Sequence, residues 1–361
     1  MTPLKEVYYN PGFYQHLADL VSEVYPKFQS QQFVEEAVGQ LPQRELKQRI
    51  SLTSELCRKY LPDNYKKALK IFYEISESLT ENFSYIFMPD FVARYGKGHF
   101  DLSMQALYDF TQYSSSELAL RDFLNADMER TLKYVYRWCE DDNYHVRRLA
   151  SEGTRPRLPW AMRVPKLNRN PELTLPVLEA LRMDDEKTVQ KSVANHLNDL
   201  SKDQPDIMLD TVAAWDKSHA STQWIIKHAL RSLVKQGHPR ALALLGAQQK
   251  PVVVLNDFQL RKNSIQLGDD LIFSFTLSSQ GEKTQRLVVD YKIHFVKKSG
   301  ESKPKVFKLR QLQLQPAESV MVTKKQLFQD FTTRKHYAGE HAVEIVVNGA
   351  SMAKRKFQLL V

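Results

Sequence analysis

The chain has 361 residues, enough for two domains that each bury a core, with 42% apolar, 11% aromatic and 26% charged residues and a formal net charge of +9. That composition excludes a largely disordered or collagen-like chain, and no run approaches the roughly 18 uninterrupted apolar residues of a membrane-spanning helix. The opening Met1-Thr2-Pro3-Leu4-Lys5 lacks the apolar stretch and small-residue cleavage site of a signal peptide, so a soluble, cytoplasmic protein is expected.

Seven of the twelve glycines lie in residues 1–250, so long stretches there run without a conformational break and helices are expected. Asp63 is placed to cap a helix whose apolar residues fall at Tyr65, Ala68, Leu69, Phe72, Ile75 and Leu79, with Lys66, Lys67 and Glu74 on other faces. Similar segments recur to about residue 248. Within them Asp141, Asp142, Val146, Arg148 and Glu152 match Asp184, Asp185, Val189, Lys191 and Asn195 at an offset of 43. Leu200 and Lys202 match Leu233 and Lys235 more weakly, at an offset of 33. Helix pairs with such a repeat are the signature of a HEAT-like α-helical solenoid, expected here over 1–248, whose inner helices line a concave surface. Residues at matching repeat positions should form a row across that surface.

The row is polar. Between 189 and 200, Val189, Val193, Leu197 and Leu200 form one helix face, while Lys191, Asn195 and Asp199 form another. Arg148 and Glu152 also stand one turn apart, and Arg147, Arg148, Arg155, Arg157 and Arg163 surround Glu152 with Lys166 just beyond, a cluster suited to phosphate. Each feature also has a plainer reading. Arg148 and Glu152 could be a surface pair contributing roughly a few tenths of a kcal/mol. Trp160 could anchor its Pro-rich loop on a helix end, and Glu140-Asp141-Asp142 could be a solvated turn.

Cys57 and Cys139 belong to no CxxC or Cys/His cluster and are expected as buried thiols. His145, His196, His219 and His228 lack metal-ligand spacing, and there is no GxSxG elbow, GxxxxGK[ST] loop or strand-linked GxGxxG. No metal and no cofactor are expected.

Period-two alternation begins only after the helices: Leu271, Phe273, Phe275, Leu277; Val289, Tyr291, Ile293, Phe295; Val343, Ile345, Val347; Phe357, Leu359. Turn signals at 267–270, 299–301, Pro316 and 348–349 leave room for about seven strands, which fits an immunoglobulin-like β-sandwich over 251–361. The charge excess sits there: 18 Lys+Arg against 10 Asp+Glu, net +8, leaving +1 for residues 1–250. This basic domain is expected to contribute salt-sensitive affinity for a polyanion, and its removal to leave a folded solenoid that binds that polyanion much more weakly.

Two segments carry a family resemblance. Tyr144-His-Val-Arg-Arg-Leu-Ala-Ser-Glu-Gly-Thr-Arg-Pro-Arg-Leu-Pro-Trp-Ala161 and Val189-Gln-Lys-Ser-Val-Ala-Asn-His-Leu-Asn-Asp-Leu-Ser-Lys-Asp-Gln-Pro205 closely resemble the AlkC branch of the bacterial AlkC/AlkD superfamily of DNA alkylation-repair glycosylases. Ser114-Ser-Ser-Glu-Leu-Ala-Leu-Arg-Asp-Phe123, Glu45-Leu-Lys-Gln-Arg49 and Tyr60-Leu-Pro-Asp-Asn-Tyr65 look like further family blocks. Helical repeats followed by an immunoglobulin-like domain also resemble that branch, so the likeness spans nearly the whole chain.

The resemblance implies excision of cationic N3-alkylated bases, chiefly 3-methyladenine and by extension 3-methylcytosine, from duplex DNA by hydrolysis of the N-glycosidic bond. It implies a metal-independent monomer with no membrane or obligatory protein partner, associated with the bacterial nucleoid through alkylated double-stranded DNA and working without deep base flipping. The chemistry is apt: alkylation makes the base a good leaving group, and a preorganised carboxylate can stabilise the sugar cation or orient water. Carried over by position, Glu152 and Asp199 are the implied catalytic carboxylates, with Glu117 as a third. Trp160 is implied against the lesion or its sugar, Arg148, Arg155, Arg157, Lys191 and Lys202 on phosphates, and Asn195 on the backbone near the lesion. Two positions depart from the family pattern: Asp122 stands where a proline is expected, and Gln190-Lys191 replaces a pair of arginines. A protein-binding or DNA-binding scaffold and a metal-dependent nuclease are the competing classes, the second lacking an acidic cluster with a partnering lysine.

Overall fold

The computed structural model describes residues 2–248, 250–331 and 334–361. Met1 of the opening peptide and Gln249, inside the segment where helices were expected to give way to strands, lie outside them. Helices run to Leu244 and strands begin at Val253.

Five helices, α1 (Leu46–Tyr60), α2 (Phe87–Tyr95), α3 (Glu117–Ala126), α4 (Tyr144–Gly153) and α5 (Lys187–Asp203), each pack on the next in one continuous layer. From a second layer Phe100–Phe110 bridges α2 and α3, and Met128–Trp138 bridges α3 and α4. Alternation between two layers is the arrangement expected of stacked helical repeats, because each pair buries its apolar stripe only against its neighbours. The helix anticipated near residue 65 is Tyr65–Ser76, and its cap is Asn64 rather than Asp63. The Asn64 side chain accepts the Lys67 N–H, whereas Asp63 turns outward to Arg58.

The offset of 43 is structural. Val146 and Val189 are both buried at the starts of α4 and α5. One residue on, Arg147 Nη1 donates to the carbonyls of Asp141 (2.8 Å) and Asp142 (2.9 Å), while Gln190 Nε2 donates to those of Asp184 (2.8 Å) and Asp185 (3.3 Å). Each also reaches forward, Arg147 to the Asp184 carboxylate and Gln190 to Ser221 Oγ. The Glu140–Asp142 segment is thus a turn whose carbonyls are held by the helix it introduces. Gln190, the departure from an arginine pair, keeps the two carbonyl bonds. The other departure, Asp122, lies inside α3 and pairs with Lys97 at 2.9 Å.

Eight strands among the described residues form the C-terminal part: β1 (Val253–Leu260), β2 (Ser264–Gln266), β3 (Asp270–Ser279), β4 (Gln285–Val296), β5 (Ser302–Leu314), β6 (Ser319–Leu327), β7 (Gly339–Val347) and β8 (Ala350–Leu360). They make sheets of order β1-β3-β6 and β2-β8-β7-β4-β5. The alternating residues meet between them: Phe273, Phe275 and Leu277 face Val289, Tyr291, Ile293, Val343, Ile345 and Leu359. One strand exceeds the expected count because β2, parallel to β8, is too short to show alternation.

Contacts divide the chain into two compact units, Met1–Asp203 with Trp215–His228, and Gln204–Ala214 with Ala229–Val361. The second unit therefore includes helices as well as the sandwich. Within it, Asn348 Nδ2 donates to Gln248 O at 2.6 Å while its Oδ1 accepts the Val288 N–H at 2.7 Å. Gly237 (φ +72°) and Gly349 (φ +81°) touch backbone to backbone; a Cβ on Gly349 would stand 2.2 Å from the Gly237 Cα. Removal of 251–361 would strip residues 229–248 of these partners.

Cys57 and Cys139 are free and buried. Among the described residues no helix is long and apolar enough to cross a membrane.

Candidate active site

Glu152 and Asp199 converge on one guanidinium. Arg155 Nη1 donates to Glu152 Oε1 at 2.7 Å, and its Nε to Asp199 Oδ2 at 3.0 Å. The geometry follows from chain direction: α4 ends at Gly153, and the turn beyond it brings Arg155 back along its own helix and across to α5. The remaining oxygens are also engaged, Glu152 Oε2 by Ser192 Oγ at 2.6 Å and Asp199 Oδ1 by Lys202 Nζ at 3.2 Å. Glu152 is 9% exposed and Asp199 3%.

Glu117 begins α3, where unpaired helix N–H groups favour a carboxylate. Arg148 of α4 grips both its oxygens, at 3.1 and 3.4 Å, and also donates to Ser115 Oγ, which itself bonds Glu117. Burial opposes the charge of Arg148, but Glu117 beside it prevails and holds its pKa above the ordinary arginine value. The anticipated Arg148–Glu152 surface pair does not form: Arg148 reaches α3, and Glu152 is taken by Arg155.

Trp160 meets a helix start, Phe83 of the short 3-10 helix Phe83–Ile86, without being buried on it. Its residue is 55% exposed, its φ is +65°, and Phe83 meets its ring edge-on at 6.5 Å. The loop's main chain is what is anchored: Lys47 Nζ donates to Trp160 O at 2.8 Å and Asn125 Nδ2 to Arg163 O at 3.3 Å. Beside it opens a cleft of about 280 Å³, lined in part by Lys47, Ile86, Ser115, Ala119, Trp160 and Met162.

The expected phosphate ligands separate into groups. Arg155 is corrected: it is buried and its guanidinium is occupied by two carboxylates, so it does not face a phosphate. Arg148 is bonded to Glu117, and Arg157 pairs with Asp203 through Nε at 3.0 Å in a half-exposed position. Lys191 and Lys202 are exposed on α5, and Asn195 is half-buried there. On the sandwich, a groove of about 700 Å³ is lined by Lys297, Lys298, Lys303, Lys305, Arg334 and Lys335. Among these only Lys297 has a carboxylate partner among the described residues, while Arg334 lies over the Phe295 ring at 4.5 Å.

The sequence assigns no role to Arg121 or Ser192 and weighs His196 only as a metal ligand. Arg121 stands one turn after Glu117 among the buried Leu120 and Leu124, and an arginine on an apolar helix face was the available signal. His196 places Nδ1 3.2 Å from Ser151 O, so that nitrogen carries the proton. Burial, with Arg155 and Arg121 adding to it, pushes the pKa of His196 down to about 3. Among the described residues no three His, Cys, Asp or Glu side chains are grouped to hold a metal ion.

Three carboxylates, Glu117, Glu152 and Asp199, meet three guanidiniums, Arg148, Arg155 and the buried Arg121, with the exposed Lys202 beside Asp199, so the cluster carries no formal excess of negative charge. What the cluster offers is carboxylates fixed in place before any ligand binds, an arrangement able to stabilise a developing cation.

A family model described as DNA alkylation repair enzyme matches residues 111–233, and one for the C-terminal Ig-like domain of uncharacterised protein YhaZ matches 254–361. The Bacillus subtilis (strain 168) protein YhaZ, itself uncharacterized, is 39% identical over 99% of this chain and 100% of its own length. The structure of Pseudomonas fluorescens alkylpurine DNA glycosylase AlkC, bound to DNA containing an abasic site analog, is similar over 100% of both chains, with 41% identity and a TM-score of 0.97.

Proposed function

The chain belongs to the AlkC family of DNA alkylation-repair proteins, and from that premise we propose that it is an alkylpurine DNA glycosylase. Its substrates in this reading are cationic N3-alkylated bases in duplex DNA, 3-methyladenine first and 3-methylcytosine in addition. The observation that supports it best is the convergence of Glu152 and Asp199 on Arg155, a buried carboxylate pair held by one guanidinium.

A lesion that already bears positive charge needs no protonation to leave, so the chain has only to stabilise the sugar cation and supply water. Of Glu152 and Asp199, one faces the developing cation and the other orients the attacking water, with Arg155 holding both in place before substrate arrives. Glu117, held by Arg148, is the third carboxylate. Trp160 lies against the lesion or its sugar, Asn195 bonds the backbone, and Arg148, Arg157, Lys191 and Lys202 face phosphates. The stacked helices act as HEAT-like repeats along the duplex, and the basic groove of the sandwich adds a second, salt-sensitive contact. The enzyme works as a metal-independent monomer in the cytoplasm, without drawing the base into a deep pocket.

The test is release of 3-methyladenine from N-methylated duplex DNA in EDTA. The intact protein should release it, and Glu152→Gln or Asp199→Asn should each slow release by roughly a hundredfold with DNA binding retained. Binding without release by the intact protein would instead support a damage-recognition scaffold.

A further inference from the structure

We propose that Arg121 is a positioning residue that locks the carboxylate clamp and the Trp160 loop at one fixed separation. Its residue is 1% exposed, and its guanidinium bonds only main-chain carbonyls among the described residues. Nη1 donates to Gly153 O at 3.1 Å and Arg155 O at 2.8 Å, and Nε donates to Met162 O.

These acceptors lie at both ends of one loop. Gly153 and Arg155 bracket the turn that aims the Arg155 guanidinium at Glu152 and Asp199, and Met162 is two residues past Trp160. A leucine or methionine could fill the same volume without burying a charge. The cost is visible in Arg121 itself, whose pKa burial and the neighbouring Arg155 pull down to about 10. What neither an apolar side chain nor lysine offers is a planar fork that engages two stretches of chain at once. Trp160 adds a second, independent requirement. Its φ of +65° stores strain of about 1–3 kcal/mol and persists only where the surroundings over-determine it. Arg121, with Lys47 and Asn125, supplies that over-determination.

The activity arm of the test rests on the glycosylase reading; the spectroscopic arm does not. The full chain, labelled with 5-fluorotryptophan, carries four tryptophans, and the Trp160 resonance is assigned by its loss in Trp160→Phe. In Arg121→Gln that resonance should broaden or shift while those of Trp138, Trp215 and Trp224 hold. Single-turnover release of 3-methyladenine should fall at least about tenfold, with affinity for abasic-analogue DNA changed less than about threefold. Arg121→Lys, which keeps the charge but not the fork, should lie between wild type and Arg121→Gln in both readouts.

An unchanged Trp160 resonance and rate in Arg121→Gln overturn the proposal. So does a rate loss in which all four resonances move together in both variants, because Arg121 would then act on the fold at large. A wild-type chain that releases no base, but whose Trp160 resonance responds to Arg121→Gln, overturns the glycosylase reading and leaves the loop-positioning role standing.

Discussion

Trp160 adopts a left-handed backbone that favours glycine, and it does so with an exposed indole, so local stability alone does not account for it. Trp160→Gly should be more stable than Trp160→Ala by about 1 kcal/mol in denaturant titrations, because only glycine relieves the φ strain, while both variants lose base release. Equal stability of the two would show that the loop relaxes. His196 makes a pH prediction. With a folded pKa near 3 against an ordinary value of 6.5, its contribution is complete above about pH 6.5 and is lost as pH falls toward 3, by at most about 5 kcal/mol. His196→Asn, whose side-chain amide can still donate to Ser151 O, should flatten the fall of Tm between pH 6.5 and 4; an unchanged slope would contradict this. At this scale residue types were legible and directions were not. Five arginines around Glu152 read as a phosphate cluster, yet the turn after Gly153 buries Arg155 on two carboxylates, and no local pattern encodes that turn.

The elements were read from period and punctuation, and these succeed where one face decides. The 3.6-residue pattern located Tyr65–Ser76, and alternation located β3, β4, β7 and β8. The Asp141-Asp142 and Asp184-Asp185 pairs matched at an offset of 43 do share a structural role, since Arg147 and Gln190 hold their carbonyls in equivalent turns. What the pattern did not reveal is how an element is joined to its neighbours. The contact between Gly237 and Gly349 depends on two turns that lie far apart in sequence, each of positive φ. Gly349→Ala should lower stability by roughly 1–3 kcal/mol through steric overlap with Gly237, read as a reduced midpoint of chemical unfolding. A silent substitution would mean that the two turns separate easily.

At the scale of the whole molecule, the charge partition stands out: a nearly neutral helical part and a sandwich of net +8. Deleting the sandwich is a poor test of its role, because helices at 231–235 and 239–244 belong to its compact unit. Point replacement is cleaner. Lys303→Gln with Lys305→Gln should leave the melting temperature unchanged and reduce the slope of log Kd against log salt by about two, if both neutralise phosphates. An unchanged slope would remove the groove from the DNA contact. By itself the sequence determined the order of helices and strands, the placement of charge and the family likeness, because each is written in residue type and spacing along a short stretch. The tertiary structure alone decided that Arg155 clamps two carboxylates, that Arg121 ties the loop bearing Trp160, and that compact units divide away from the change of secondary structure. Those outcomes depend on which surfaces exclude water from one another, and burial is a property of the assembled fold that neighbouring residues along the chain do not carry.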